Sequence, residues 1–312
     1  MKIFHSIDSY TASKKTIVTI GTFDGVHIGH QKIIKNIINN ARQLNCESLI
    51  LTFFPHPKMV LQTCSDIQLL NTIHERTELL KKTGLDNLII HPFNQAFSLL
   101  SAEEFVNTIL VNKLNIKKII IGHDHRFGKN RTADFNDLIR FGKQYGFEVE
   151  QISAREIDDV SVSSTKIRTA LEQGNISLAN EYLGYDYFLS GTVQQGKQLG
   201  RTIGFPTANI KIVEPYKLIP KEGVYIAKSI LNNKTVFGMM NIGTNPTVNG
   251  KTLAIEINYL DFDDDLYNQE IEVALLHYIR PEQKFTSVDL LTLQLQCDKK
   301  TTLAFITSHF KN

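Results

Sequence analysis

The chain has 312 residues, 42% of them hydrophobic and 21% charged, a balance that excludes an unfolded chain and leaves room for two domains with separate cores. Lysine and arginine number 34 against 32 aspartates and glutamates, a net charge of +2, which is too small an excess to make nucleic acid or a membrane surface the expected partner. Cys46, Cys64 and Cys297 are far apart and odd in number, and no run approaches the ~20 apolar residues of a membrane span, so a cytoplasmic protein with reduced thiols is expected.

In chain order, 16–22 reads as a β-branched strand, after which Ile33, Ile34, Ile37, Ile38, Ala41 and Leu44 recur at helical spacing. A second buried strand is expected at 48–53. A proline-rich loop follows, then a helix at 72–82 and a short strand at 87–90. Ser101 and Glu104 form a capping-box pattern that opens a helix running to Leu114. Next come a strand at 118–121, a polar loop, a helix at 137–145 and a strand at 147–152. This alternation predicts an α/β, Rossmann-like domain with an open parallel sheet, whose ligands sit at the carboxyl ends of the strands. Two short helices near 164–171 and 177–182 lead to an expected border at Gly184, giving domains 1–184 and 185–312. Beyond it, β-rich runs at 223–229, 236–242 and 253–260 are broken by Gly, Pro and Asn, with Asn249-Gly250 as a hairpin signal. They predict a small antiparallel β-barrel. Helical spacing returns from about Ser287, so a C-terminal helix closes the chain.

The sharpest string is Gly21-Thr22-Phe23-Asp24-Gly25-Val26-His27-Ile28-Gly29-His30, placed where the first strand turns into the first helix. Its glycines let backbone approach a ligand closely. The helix start offers free N–H groups to an anion, and two histidines can donate to phosphate oxygens. A nucleotide triphosphate fits. A zinc site is the weaker reading, because His27 and His30 have no third ligand at useful spacing. A dinucleotide fingerprint fails because GxGxxG is absent, and a purely structural glycine turn stays open. Farther on, Ser163-Ser164-Thr165-Lys166-Ile167-Arg168 sets hydroxyls and cations at a helix start, which is either an anion site or an ordinary cap with a solvated basic turn.

Residues 21–30 resemble the nucleotidyltransferase motif of the bacterial FAD synthetase family. Phe54-Pro55-His56-Pro57 resembles the family's second motif and Gly122-His123-Asp124-His125-Arg126-Phe127-Gly128 its third. Residues 163–168 resemble its fourth. The resemblance implies attack of the FMN phosphate on the α-phosphorus of ATP, giving FAD and pyrophosphate. It assigns His27 and His30 to the triphosphate as catalytic groups. Gly21, Phe23, Asp24, Gly25, Gly29, Asp124, Ser163, Ser164, Thr165 and Arg168 would contact the nucleotide, and Phe54, Pro55, His56, Pro57 and Arg126 the flavin. The family usually has an aromatic residue where this chain has His125, and often glycine near Thr132-Ala133.

A second cluster, Gly196-Lys197-Gln198-Leu199-Gly200-Arg201-Thr202-Ile203-Gly204-Phe205-Pro206-Thr207-Ala208-Asn209, has the glycines and cations of a loop that wraps phosphate. A Gly/Pro-rich turn is the alternative. Thr207 and Asn209 fall on one side of an extended chain, and their hard oxygens suit Mg²⁺. The segment resembles the riboflavin kinase signature. Glu256-Ile257-Asn258-Tyr259 resembles the strand that carries that family's general base, and Ile279-Arg280-Pro281-Glu282-Gln283-Lys284-Phe285 resembles its flavin segment. By this resemblance Glu256 is the catalytic base, Thr207 and Asn209 hold Mg²⁺, Gly200, Arg201, Gly204 and Pro206 meet ATP, and Arg280 and Glu282 meet riboflavin. The family often has His at Asn258 and Gly at Asn268.

Two decoys fail. Gly250-Lys251-Thr252 lacks the spacing and the strand-to-helix context of a P-loop. Asp261, Asp263, Asp265 and Glu272 fall at calcium-loop spacing, but Leu266 replaces the required glycine. The expected whole is a monomer or weak homo-oligomer taking riboflavin, FMN and ATP. Two rivals are a nucleotidyltransferase for another phosphorylated acceptor, which leaves Glu256 unexplained, and a non-catalytic flavin-binding regulator, which the intact site residues argue against.

Overall fold

The structure, a computed structural model, describes residues 1–61, 67–122, 126–152, 162–196, 199–247 and 250–310. The chain divides into two compact units, Met1–Ser164 and Thr165–Asn312.

The first unit is built on strands β1 (Lys2–Phe4), β2 (Thr16–Ile20), β3 (Glu47–Phe54), β4 (Asn87–Pro92), β5 (Ile116–Gly122) and β6 (Glu148–Ile152). They pair in parallel in the order β1-β4-β3-β2-β5-β6, as the α/β pattern predicts. Every residue of β2 is buried, because a central parallel strand is covered on both faces. Alternate residues feed two cores. Ile17, Ile50 and Ile120 meet Ile34, Ile37 and Ala41 of helix α1 (Ile28–Gln43), while Val18, Leu49 and Ile119 meet Leu110, Leu138 and Phe141. The strand order reverses at β2, whose neighbours are β3 and β5. That opens a crevice at their carboxyl ends, where ligands of such sheets bind.

The expected helix after β3 spans Ile73–Lys81, started by a reciprocal Thr72–Glu75 capping box. The Ser101–Glu104 box also forms. Only Ala102–Glu104 is α-helical, however, and Phe105–Lys113 continues as a wider π-helix ending with Leu114 N–H on Ile109 C=O at 2.9 Å. β1 has no counterpart among the expected elements, since three residues with Lys2 exposed carry no readable alternation.

The second unit is a closed antiparallel barrel followed by a C-terminal helix. Its strands are β7 (Phe188–Gln194), β8 (Ala208–Lys211), β9 (Gly223–Leu231), β10 (Lys234–Thr247), β11 (Gly250–Tyr259) and β12 (Glu270–Arg280), in the order β10-β11-β8-β7-β12-β9. β10 and β11 pair from Thr247 and Gly250 back to Gly238 and Tyr259. The expected hairpin is therefore formed, although Asn249 lies outside the described residues. Both arms extend past their apolar runs because ladder pairing carries the polar ends along. Two helices, Ser164–Gln173 and Ile176–Leu183, are tied to the barrel: Lys221 N–H donates to Leu171 C=O at 3.1 Å and Asn180 Nδ2 to Leu275 C=O at 2.9 Å. Gly184, at φ 76°, ends the second helix in the left-handed region. The C-terminal helix Val288–Phe310 lays Ile306 against Met239 and Leu260, with Phe205 and Phe237 alongside.

Candidate active sites

In the first unit the motifs gather at one edge because every strand of a parallel sheet ends there. Residues 21–27 follow β2, 54–57 close β3, Gly122 closes β5, and Ser163 and Ser164 follow β6 along the chain. The turn after β2 is backbone-strained. Phe23 sits at φ 49° and Val26 at φ 37°, values that bulky residues and, above all, β-branched valine rarely adopt, while Gly25 at φ 85° takes the left-handed position at no steric cost. Asp24 is 1% exposed, and its carboxylate accepts the Leu70 N–H at 2.9 Å and the Asn71 N–H at 3.3 Å. Its backbone carbonyl accepts Ser164 Oγ at 2.9 Å, which joins the fourth motif to the first.

His27 caps α1, its Nδ1 accepting the His30 N–H at 3.4 Å. The two imidazoles stack with centroids 3.6 Å apart, and Phe23 flanks His30. Burial pushes His27 down to about 4, opposed in part by the Asp24 carboxylate. Burial also holds His30 well below the ordinary imidazole range, reinforced by His27 and Arg76. Both rings are thus neutral near pH 7. An Nδ1 that accepts a hydrogen bond leaves the His27 proton on Nε2, as a donor for a ligand. Nδ1 of His30 is buried without a hydrogen-bond partner among the described residues.

Phe54 ends β3, and Pro57 opens the short helix Pro57–Leu61, a position proline favours. Between them, cis Pro55 precedes His56, whose Nδ1 accepts the Lys58 N–H at 3.1 Å. Arg126 lies 3.8 Å from Asp134, while Asp124, with His123 and His125, lies outside the described residues. Gly21 and Gly29 flank the turn, with Gly21 N–H donating to Leu51 C=O at 3.2 Å. Thr165 is exposed and Arg168 half-buried on the helix that begins at Ser164. Sequence reasoning missed Arg76, which donates from Nη1 to the Thr22 carbonyl at 2.7 Å and places Nη2 3.7 Å from Asp24.

In the second unit, Thr207 Oγ1 lies 3.2 Å from Glu256 Oε2. Asn209 of β8 and Asn241 of β10 are the register partners of Glu256 on its two sides. Directly opposed residues share a face, so Asn209, Glu256 and Asn241 form one polar row, while Ile255 and Ile257 point into the core. A Cβ at Gly196 would collide with the Asn209 amide, so glycine there sets how closely the loop approaches the row. Phe205 N–H closes the loop onto Gly200 C=O at 2.8 Å. Arg201 is exposed on the short helix Leu199–Thr202, and Gly204 has φ 80°. Lys197 and Gln198 lie outside the described residues. Asn258, at a departure from the family pattern, donates Nδ2 to the Pro206 carbonyl at 2.7 Å and pins the 206–209 segment. Beside it is a cavity of about 350 Å³ whose lining includes Gly204, Phe205, Pro206, Asn258, Asp261 and Lys299.

Glu282 lies over Gly243, 3.5 Å from the Asn241 amide, and so joins the row. Arg280 turns elsewhere: Nε and Nη2 bind the buried Asp298 carboxylate of the C-terminal helix at 3.0 and 2.7 Å, and Nη1 donates to Pro281 C=O. Asn241 and Asp298 were not visible as site residues in the sequence, since strand register and helix docking bring them in.

The family model described as FAD synthetase matches residues 9–166, and that described as riboflavin kinase matches 183–306. A bifunctional riboflavin kinase/FMN adenylyltransferase of Listeria monocytogenes is 39% identical over 96% of this chain and 94% of its own. One of Escherichia coli is 35% identical over 98% of each. A solved structure named as a macrolide-efflux protein from Streptococcus pneumoniae matches with a TM-score of 0.88 at 30% identity, covering 96% of this chain and 98% of that one. Among the described residues no helix is long and apolar enough to cross a membrane. Near-complete coverage, two matched family models in the same order and an assembled constellation in each unit lead to one conclusion: the chain belongs to the family of bifunctional riboflavin kinase/FMN adenylyltransferases.

Proposed function

We propose that this chain phosphorylates riboflavin to FMN in its C-terminal half and adenylylates FMN to FAD in its N-terminal half, using one ATP for each step. The observation that carries the reading is the polar row of the barrel, where Glu256 stands within 3.2 Å of the Thr207 hydroxyl and in register with Asn209. A strand carboxylate with two neutral oxygens beside it suits base chemistry next to a phosphate-bound hard cation. Glu256 takes the proton of the ribityl 5′-hydroxyl as that oxygen attacks the γ-phosphorus of ATP, and ADP leaves. The Thr207 hydroxyl and the Asn209 amide oxygen fit Mg²⁺, which, when bound with ATP, neutralises charge on the transferring phosphoryl group. The cavity beside Pro206 and Asn258 is open to the nucleotide, with Gly200, Arg201 and Gly204 in the adjoining loop.

In the N-terminal half an FMN phosphate oxygen attacks the α-phosphorus of ATP, and pyrophosphate leaves. No covalent enzyme intermediate is needed, so the protein supplies position and charge stabilisation. Neutral His27 and His30 hold the triphosphate as donors. Ser163, Ser164, Thr165 and Arg168 receive the leaving pyrophosphate at a helix start. Residues 54–57 and Arg126 receive the flavin. We place the functional border at Gly184, where the left-handed cap turns the chain into β7. A cytoplasmic location accords with the free thiols of Cys46 and Cys297, and we take the working form to be a monomer or weak homo-oligomer.

The test is chromatography of the products that purified protein makes from riboflavin, ATP and Mg²⁺. FMN appearing first and FAD after it is the expected result. Bound flavin with no ATP turnover would overturn the proposal in favour of a flavin-binding regulator.

A further inference from the structure

We propose that Arg76, which lies in none of the motifs, is a positioning residue of the adenylylation site, an inference that rests on the N-terminal reading above. Arg76 is 1% exposed, as is Asp24. Its Nη1 donates to the Thr22 carbonyl at 2.7 Å, and Nη2 faces Asp24 Oδ1 at 3.7 Å. Thr22 and Asp24 bracket Phe23, whose ring flanks His30, and the Asp24 backbone carbonyl receives Ser164 Oγ. One guanidinium therefore holds the strained turn between β2 and α1 by a hydrogen bond to the Thr22 carbonyl and a longer charge contact with Asp24, and that same turn is joined to the Ser163–Ser164 segment. The helix that carries Arg76 is itself started by the buried Thr72–Glu75 capping box, four residues or fewer before it.

A buried ion pair is a poor device for stability alone, because desolvation offsets most of its attraction and an apolar pair often does as well. The planar fork of an arginine supplies direction instead. Here it holds a backbone strained at Phe23 and Val26 in the shape that presents His27 and His30 to the triphosphate. Displacement of a reacting group by about 1 Å can cost ~10²-fold in rate, so a loosened turn lowers turnover while the protein stays folded.

The test uses the full chain. Arg76→Lys keeps the charge and removes the fork. The expected result is a fall in kcat for FAD formation of roughly ten- to a hundredfold, with KM for FMN, near-UV circular dichroism and FMN formation from riboflavin unchanged. In Arg76→Ala, millimolar guanidinium restores part of the lost rate, whereas in His27→Ala it restores none. If Arg76→Ala does not fold, the lysine variant decides alone. A folded Arg76→Lys protein with wild-type kcat for FAD formation overturns the inference. A wild-type protein that makes no FAD from FMN and ATP instead overturns the reading beneath it.

Discussion

His27 illustrates how burial sets chemistry at a single residue. Its pKa of about 4 means that no second proton is bound across the physiological range, so the ring works as a neutral donor through the one it keeps. In the unfolded chain the same group titrates near 6.5. Above that pH the burial of the neutral ring costs nothing in protonation. As pH falls from about 6.5 toward 4, the unfolded state binds a proton that the folded state refuses, and roughly 3 kcal/mol of stability is lost over that window. The His27 ring resonances are therefore expected to stay constant by NMR between pH 5.5 and 8, while urea midpoints fall between pH 7 and pH 5. A ring titrating near 6.5 in the native protein would contradict this. Gly196 is the corresponding residue in the barrel. Gly196→Ala drives a Cβ into the Asn209 amide, and we expect FMN formation to fall by about tenfold or more with FAD formation from FMN unchanged, measured by separate assays of the two steps.

Among the elements, the C-terminal helix Val288–Phe310 is held by a forked Arg280–Asp298 pair and by Ile306 in the apolar cluster. Asp298→Ala leaves a largely buried guanidinium without its counter-charge, a change that costs about 3 kcal/mol or more. Urea unfolding should show that loss, and riboflavin phosphorylation should fail before FMN adenylylation on warming. How far the elements are legible in the sequence depends on where their information lies. β2, α1 and the helix after Thr72 are written in contiguous apolar spacing and caps; β2 and the helix after Thr72 form within two residues of expectation, and α1 carries the expected apolar stripe but starts ahead of it at Ile28. The π-helix Phe105–Lys113 is not legible, because Phe105, Val106, Ile109 and Leu110 fit α spacing equally well and only packing widens the turn. The site residues divide in the same way. His27, Thr207 and Glu256 stand in strings whose chemistry is local. Arg76 is 54 positions from the carbonyl it holds, and Asn241 reaches Glu256 only through strand register, so no window of sequence contains either relation.

At the scale of the molecule, the chain carries two constellations that differ in kind. One is a neutral imidazole pair on a strained turn at the edge of a parallel sheet, and the other is a carboxylate in a polar row on a barrel. Each unit has its own sheet and core, so a substitution at one site should leave the chemistry of the other intact. The most direct measurement is a crossed assay of His27→Ala and Glu256→Gln, following FMN from riboflavin and FAD from supplied FMN by chromatography. His27→Ala is expected to lose FAD formation by ~10²-fold while FMN formation persists, and Glu256→Gln to lose FMN formation while still converting supplied FMN to FAD. Both variants losing both reactions to the same extent, with the fold intact, would contradict two separate sites.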